Sequence, residues 1–269
     1  MPPPSADLPL APLAVLVAAL GLAVGSFLNV VIWRVPRGES VVAPRSACPR
    51  CGVPIAARDN IPVVSWLVLR GRGRCCREPI SIRYPLVELG TAVAFAAVAL
   101  WAGWSSSLPA WLYLAALSIA LAAIDLDCRR LPDVIVKPSY VVLGVLLGAG
   151  AILAGEPRRL VGAAVGAAAV FAFYLLIVLV YPPGMGWGDV KLSGMIGMAL
   201  GWLGWAALAV GAFAGFLVGG LVGVALLLAG ATGRKGKIPY GPWMIVGTWV
   251  GAVWGPPLAS WYLTTAGIR

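Results

Sequence analysis

The chain has 269 residues, of which 61% are hydrophobic and 11% charged. A soluble domain of this length carries roughly 25% charged residues, so the composition excludes an ordinary soluble globular protein and points to an all-α polytopic membrane protein. Twenty Lys and Arg against ten Asp and Glu give a formal charge of +10, and there is no histidine.

A membrane span needs about 20 apolar residues. On that measure the sequence predicts about eight: residues 8–33, 84–101, 108–126, 134–154, 160–181, 192–203, 205–229 and 238–262. Met1 to Leu10 hold no Lys or Arg, so the basic start of a cleaved signal peptide is lacking and the first run is expected to be a retained helix. With the N-terminus outside, the inner loops 34–83, 127–137, 182–191 and 231–237 hold 10, 3, 1 and 3 of the Lys and Arg residues, 17 of the 20. Positive residues mark cytoplasmic loops, which predicts both termini outside. That bias, with contact to anionic membrane lipid, accounts for the net charge without any nucleic acid partner.

Near the end of the first span, Gly25, Ser26 and Asn29 form a small, polar stripe. It suits close helix contact and an interhelical hydrogen bond from Asn29. The only sizeable polar segment follows, residues 35–83, with four of the five cysteines: Cys48-Pro49-Arg50-Cys51, then Cys75-Cys76. In a basic cytoplasmic loop too small to build a core, two cysteine pairs read as a structural zinc site rather than as disulfides. The adjacent Cys75-Cys76 is an awkward pair of ligands, so three thiolates plus water, or no metal, stay compatible with the spacing.

Glu88 lies about a turn inside the second span, placed to pair with Arg83 or to cap a helix end. The third span ends Ile124-Asp125-Leu126-Asp127-Cys128-Arg129-Arg130-Leu131-Pro132-Asp133. Asp125 and Asp127 are about 200° apart around a helix and face opposite ways. Asp127 has Arg129 or Arg130 to neutralise it, Asp133 is placed as an N-cap for the fourth span, and Cys128 reads as a small buried residue. Only Asp125 resists a bland account. The fourth, fifth and seventh spans carry no charge and read as scaffold.

Gly184-Met185-Gly186-Trp187-Gly188-Asp189-Val190-Lys191 joins two apolar runs. Its uncovered backbone and its carboxylate are both costly in lipid, so it is expected to pack against protein or a watery cavity. Before the last span, Gly233 to Trp243 hold two prolines and the basic residues Arg234, Lys235 and Lys237, a rigid turn where the chain returns to the membrane.

The missing histidines exclude Ser–His and Cys–His catalysis and a histidine-bound catalytic metal; serine–lysine chemistry stays open, though no partner serine stands out for Lys191, beside Asp189. Asp125 and Asp189 remain, both predicted at the cytoplasmic ends of their spans. Two neighbouring carboxyls share one proton; the charged one activates water while the neutral one donates to a scissile carbonyl. That is aspartic protease chemistry, and it needs no cofactor. The alternative is that Asp189 caps the sixth span while Asp125 pairs with an arginine. A reading from another class makes the pair an ion site in a transporter or assembly scaffold, against which counts the lack of paired broken helices.

Gly186-Trp187-Gly188-Asp189 resembles the Gly-x-Gly-Asp signature of intramembrane aspartic proteases, and the whole chain resembles the type IV prepilin peptidase and N-methyltransferase family. The resemblance runs through Gly25-Ser26-Phe27-Leu28-Asn29, the cysteine loop, Asn60-Ile61-Pro62, Ile80-Ser81-x-Arg83-Tyr84-Pro85-x-x-Glu88, Ile124-Asp125 to Asp133, Gly186 to Leu192 and Ile238-Pro239-Tyr240-Gly241-Pro242. It implies a catalytic pair at Asp125 and Asp189, with Gly186, Gly188 and Lys191 forming the loop beside it. It implies prepilin or pseudopilin substrates, cut on the cytoplasmic side of a bacterial inner membrane. S-adenosylmethionine-dependent methylation of the new N-terminus is also implied, linked to the cysteine loop through Gly71 and Arg72. The expected organisation is a first span (1–34), a cytoplasmic cysteine-loop domain (35–83) with Cys48, Cys51, Cys75 and Cys76 as zinc ligands, and a seven-helix peptidase domain (84–269). The family carries two Cys-x-x-Cys pairs. Aligned on Ile80-Ser81, its third cysteine falls on Gly73 here, and Cys75 lies two residues later.

Overall fold

A computed structural model describes residues 9–48, 51–182, 185–230 and 239–267. Gly184 and the basic turn at Gly233 to Ile238, with Arg234, Lys235 and Lys237, lie outside the described residues. Those residues form α-helices and short 3-10 turns, with two isolated antiparallel bridges and no strand. The helices are α1 (Leu10–Arg34), α2 (Val64–Val68), α3 (Arg83–Ala102), α4 (Leu108–Cys128), α5 (Asp133–Leu153), α6 (Arg158–Val180), α7 (Trp187–Leu203), α8 (Trp205–Leu228) and α9 (Gly241–Thr265). Six of the eight long helices are long and apolar enough to cross a membrane: α1, α3, α4, α5, α6 and α8. α7 has 17 residues, about 25 Å of helix against a hydrocarbon core of about 30 Å. α9 has 25 residues and no charge, but its Gly, Pro, Trp and Thr keep it less apolar than the six.

The chain divides into two compact units, Pro3–Ala120 and Leu121–Arg269, and the division falls within α4. In the N-terminal unit α1 packs on α3 through its small residues. A Cβ on Gly21 would lie 2.7 Å from the Ala92 Cα, and one on Gly25 2.7 Å from the Glu88 Cα. The Asn29 side-chain amide donates to the Tyr84 carbonyl at 3.1 Å, so the stripe makes the close contact and the interhelical bond its sequence predicts. Glu88 differs from expectation. It is buried, and its carboxylate turns back to accept the Val63 N–H at 2.7 Å.

In the C-terminal unit α7 is the central element, with almost every residue from Val190 to Trp202 buried. Glycines let the backbones meet: a Cβ on Gly166 would lie 2.4 Å from the Gly197 carbonyl oxygen. α8 and α9 join in the same way, through Gly211 and Gly215 against Gly247 and Gly251. Without a hydrophobic drive between helices in lipid, such close backbone packing is what holds a bundle together.

Three local expectations are corrected. The sixth span starts at Trp187 rather than residue 192, so Asp189 lies inside the first turn of α7 and not in a preceding loop. Asp133 is the first residue of α5, whose N-cap is Pro132, because its carboxylate is drawn to Lys137 and Lys191 instead. Cys128 is exposed, since it ends α4 where the chain turns away.

Candidate active site and cysteine cluster

Asp125 sits in the last turn of α4 and is only 4% exposed. A buried carboxylate needs donors, and the Gly241 backbone N–H donates to its Oδ2 at 3.0 Å. Gly241 is the first residue of α9. Asp125 therefore occupies a helix N-terminus, where free N–H groups and the helix dipole favour negative charge. No arginine pairs with it among the described residues.

Asp189 occupies the same kind of place on another helix. It is the third residue of α7, and its Oδ2 accepts the Gly186 N–H at 3.2 Å. That reciprocal bond closes the first turn and explains how a Gly-Trp-Gly segment enters a helix. Half of the bland alternative is thus met, since Asp189 does cap its own helix, while Asp125 is held by α9 and not by an arginine.

Leu131, in the link between α4 and α5, brings the two helix ends together. It is buried, and a Cβ on Gly188 would lie 3.0 Å from its Cβ, while one on Gly241 would lie 3.5 Å from its Cδ1. The Asp125 and Asp189 carboxyls lie within electrostatic range of one another. Gly186 is exposed, and a Cβ there would come within 3.2 Å of Asp189 Oδ2. The two glycines thus have different tasks: Gly186 keeps the carboxylate uncovered, and Gly188 seats Leu131.

Lys191 does not pair with Asp189 among the described residues. Its Nζ donates to Asp133 Oδ1 at 2.6 Å, while Lys137 holds the other oxygen at 2.8 Å. The Tyr140 hydroxyl also donates to the Lys191 carbonyl. These contacts fasten the start of α5 to the start of α7 and fix the turn that carries Asp189.

Sequence reasoning missed an aromatic group beside this site. Tyr174, Phe216 and Tyr240 cluster with ring centroids 5.3–6.4 Å apart, and both tyrosines feel the charge of Asp189. The Tyr240 hydroxyl is buried, with no partner at ordinary hydrogen-bond distance among the described residues. One signal was available: Tyr174 lies deep in a stretch, residues 160–180, made otherwise of aliphatic residues, Ala, Gly and Phe.

In the N-terminal unit, the sulfurs of Cys48, Cys51, Cys75 and Cys76 all lie within 4.8 Å of one another. Cys51–Cys75 is 3.1 Å, Cys48–Cys76 3.6 Å and Cys75–Cys76 3.8 Å. A tetrahedral site with zinc–sulfur bonds of about 2.3 Å places its sulfurs roughly 3.8 Å apart, so the four thiols fit such an ion. Two matching turns converge them. Cys48 N donates to Val53 O and Gly52 N to Cys48 O; in the second turn Gly73 N donates to Glu78 O and Arg77 N to Gly73 O. An isolated bridge flanks each turn, Ala47 with Pro54 and Arg72 with Pro79. Gly73 thus holds the backbone place of Cys48, and the thiol comes from Cys75, two residues on. The bond with Cys51, then burial, pushes the Cys75 thiol up to about 12. Arg74 anchors the second turn through a two-pronged contact with Asp59 at 2.8–3.0 Å, and that bond holds the Asp59 carboxyl below its usual range.

Gly71 has φ +68°, a left-handed conformation that favours glycine, and Trp66 packs against it. Arg72 is exposed.

Residues 19–102 match the bacterial peptidase A24 N-terminal domain, and residues 111–228 match the type IV leader peptidase family. The chain is 38% identical over 281 residues to a prepilin leader peptidase/N-methyltransferase of Aeromonas hydrophila, covering 93% of each chain. It is 36% identical over 274 residues to the Pseudomonas aeruginosa protein of the same name, covering 93% of each. With that of Neisseria gonorrhoeae it shares 40% over 290 residues, covering 95% of this chain and 96% of the other. No solved structure matches the chain.

Proposed function

Because the chain belongs to the type IV leader peptidase family, we propose that it is a prepilin peptidase in a bacterial cytoplasmic membrane. It removes the leader of prepilins or pseudopilins on the cytoplasmic side and then methylates the new N-terminus. Asp125 and Asp189 carry the cleavage. The observation that supports this most strongly is that both carboxyls sit on helix N-termini, bridged by one leucine and in range of each other's charge.

With one carboxyl ionised and the other protonated, the ionised group takes a proton from water as its oxygen bonds to the scissile carbonyl carbon. The protonated group gives its proton to the carbonyl oxygen. The resulting diol collapses, the C–N bond breaks, and the leaving nitrogen takes up a proton. The helix N-termini hold both groups in place, so neither has to be ordered during reaction. Lys191, clasped by Asp133, positions the turn bearing Asp189.

Both termini lie outside and residues 35–83 form the cytoplasmic domain, by the distribution of basic residues. Cys48, Cys51, Cys75 and Cys76 are the residues that would hold a structural zinc ion, which would supply the core this small loop lacks. S-adenosylmethionine is the methyl donor, and Gly71 acts through Trp66, which packs on it. Incubating the purified protein with a prepilin and sequencing the product by mass spectrometry tests the reading: a trimmed chain with a methylated N-terminus is expected, and an uncut prepilin contradicts it.

A further inference from the structure

An oxygen that gains charge during reaction is best met by a donor already fixed in place. We propose that the Tyr240 hydroxyl is such a donor, hydrogen-bonding to the scissile carbonyl oxygen as water adds to the carbonyl carbon. The assignment rests on the peptidase reading above and adds a third group to the two carboxyls. A phenol keeps its proton at neutral pH. It therefore donates without transferring the proton, and the proton balance of the cleavage is unchanged.

Tyr240 is fixed first by its backbone. It is the N-cap of α9, and its carbonyl accepts the N–H groups of Trp243 at 3.1 Å and Met244 at 3.2 Å. The next residue, Gly241, donates to Asp125 at 3.0 Å. One turn of chain thus holds Asp125 by its main chain and carries the phenol on a side chain. The ring has little freedom. A Cβ on Gly219 of α8 would lie 2.6 Å from the Tyr240 Cε2 and 3.2 Å from its Cδ2, so the backbone of α8 closes on that edge. Phe216 and Tyr174 pack on it with ring centroids 5.9 and 6.4 Å away.

The surroundings of the hydroxyl point to the same role. It is buried, and no protein group among the described residues bonds to it at ordinary distance. Tyr140 shows the contrast: its hydroxyl is used within the fold, donating to the Lys191 carbonyl. Leaving a buried donor unpaired costs stability, and a native structure that keeps one needs a reason. Here the reason is chemical. The Asp189 carboxyl acts on the Tyr240 hydroxyl through its charge, yet the two are not bonded to each other among the described residues. A reacting atom must sit within reach of both the acid–base pair and a donor. The separation between phenol and carboxyl, beside the Asp125 that the same turn holds, is such a place.

The test compares full-length wild type and Tyr240→Phe in detergent, with a prepilin and with two uncleavable peptides of its cleavage site. One peptide carries a hydroxyethylene group in place of the scissile amide and keeps an oxygen at the reacting centre. The other has the carbonyl reduced to methylene and has no oxygen there. The variant keeps the ring and loses an unpaired donor, so it should accumulate normally and unfold at the wild-type temperature or above. Its kcat should fall about tenfold or more, with KM within about twofold. A lone donor is worth about 10²- to 10³-fold, and here a protonated carboxyl serves the same oxygen. The hydroxyethylene peptide should bind the variant about tenfold more weakly, and the methylene peptide equally well. Three results overturn the assignment: a wild-type kcat, equal weakening of both peptides, or a variant that accumulates poorly or unfolds earlier. The last would show that the hydroxyl is bonded within the fold. A greater loss of kcat in Tyr174→Phe than in Tyr240→Phe also overturns it, since the donor would be the other phenol. In all of these cases wild type still cuts the prepilin and the peptidase reading stands; a wild type that leaves it uncut removes both.

Discussion

Gly241 donates its backbone N–H to the Asp125 carboxylate across 116 residues of chain. One side of that contact has no room. A Cβ at position 241 would lie 2.8 Å from Asp125 Oδ2 and 3.4 Å from its Cγ. Gly241→Ala should therefore shift the carboxylate and slow prepilin cleavage by about tenfold or more, as small misplacements of reacting groups do. Gly220→Ala is the control, since among the described residues a Cβ there meets no packed neighbour within 4 Å. Initial rates of cleavage for the two variants, at equal protein, check this.

The displaced thiol gives a second prediction. A Cβ on Gly73 would meet the Cys76 and Cys75 sulfurs at 3.9 and 4.0 Å, in ordinary contact. Position 73 is thus free to present a thiol to the same point. Metal analysis should find about one zinc per chain in wild type, less in Cys75→Ser, and recovery in the double variant Gly73→Cys, Cys75→Ser. A double variant as poor in metal as Cys75→Ser alone would show that the two turns are not interchangeable.

Bundle stability should depend on the meeting of α6 and α7. A Cβ on Gly197 would come within 2.3 Å of the Gly166 carbonyl oxygen. Gly197→Val forces the helices apart along their whole contact and should lower accumulation in membranes severalfold. Gly90→Val meets open space and should accumulate normally. Quantitative immunoblots of membrane fractions compare them.

The Asp59–Arg74 pair gives the loop a pH dependence. The Asp59 carboxyl is held below its ordinary 3.8, chiefly by the Arg74 hydrogen bond. A depressed carboxylate stabilises the fold above its unfolded value, and the effect fades as pH falls through the folded one. Asp59→Asn should exchange amide hydrogens faster than wild type over residues 57–76 at neutral pH. The difference should begin to shrink as pH falls past 3.8 and vanish only once pH has passed the lowered folded value. The difference will be modest, because exposed ion pairs contribute little. Equal exchange at neutral pH would show that the pair does not hold the turn.

The membrane class, the helix order and the carboxylate pair were legible because each leaves a local mark. Apolar runs must be long to cross lipid, and a carboxylate continuing such a run, as Asp125 does, needs a reason. What stayed hidden depends on distant partners. Nothing near Glu88 announces that it turns back to Val63, and nothing near Asp133 announces Lys191, 58 residues on. Asp189 looked like a loop residue because Gly-Trp-Gly is a poor helix start by propensity. Its own carboxylate reverses that by closing the turn on Gly186. The adjacent Cys75-Cys76 looked unfavourable for a shared ligand because the repeated turn around Gly73 is a backbone property that residue types do not display.

The central claim is that Asp125 and Asp189 together cleave the prepilin. It is tested most directly by measuring cleavage rates for wild type, Asp125→Asn, Asp189→Asn and Asp127→Asn, each confirmed as inserted and accumulated. Loss of an acid–base group costs about 10²- to 10⁴-fold, and a loss of at least that size is expected for both dyad variants, with Asp127→Asn close to wild type. Cleavage at the wild-type rate by either Asp125→Asn or Asp189→Asn would contradict the account.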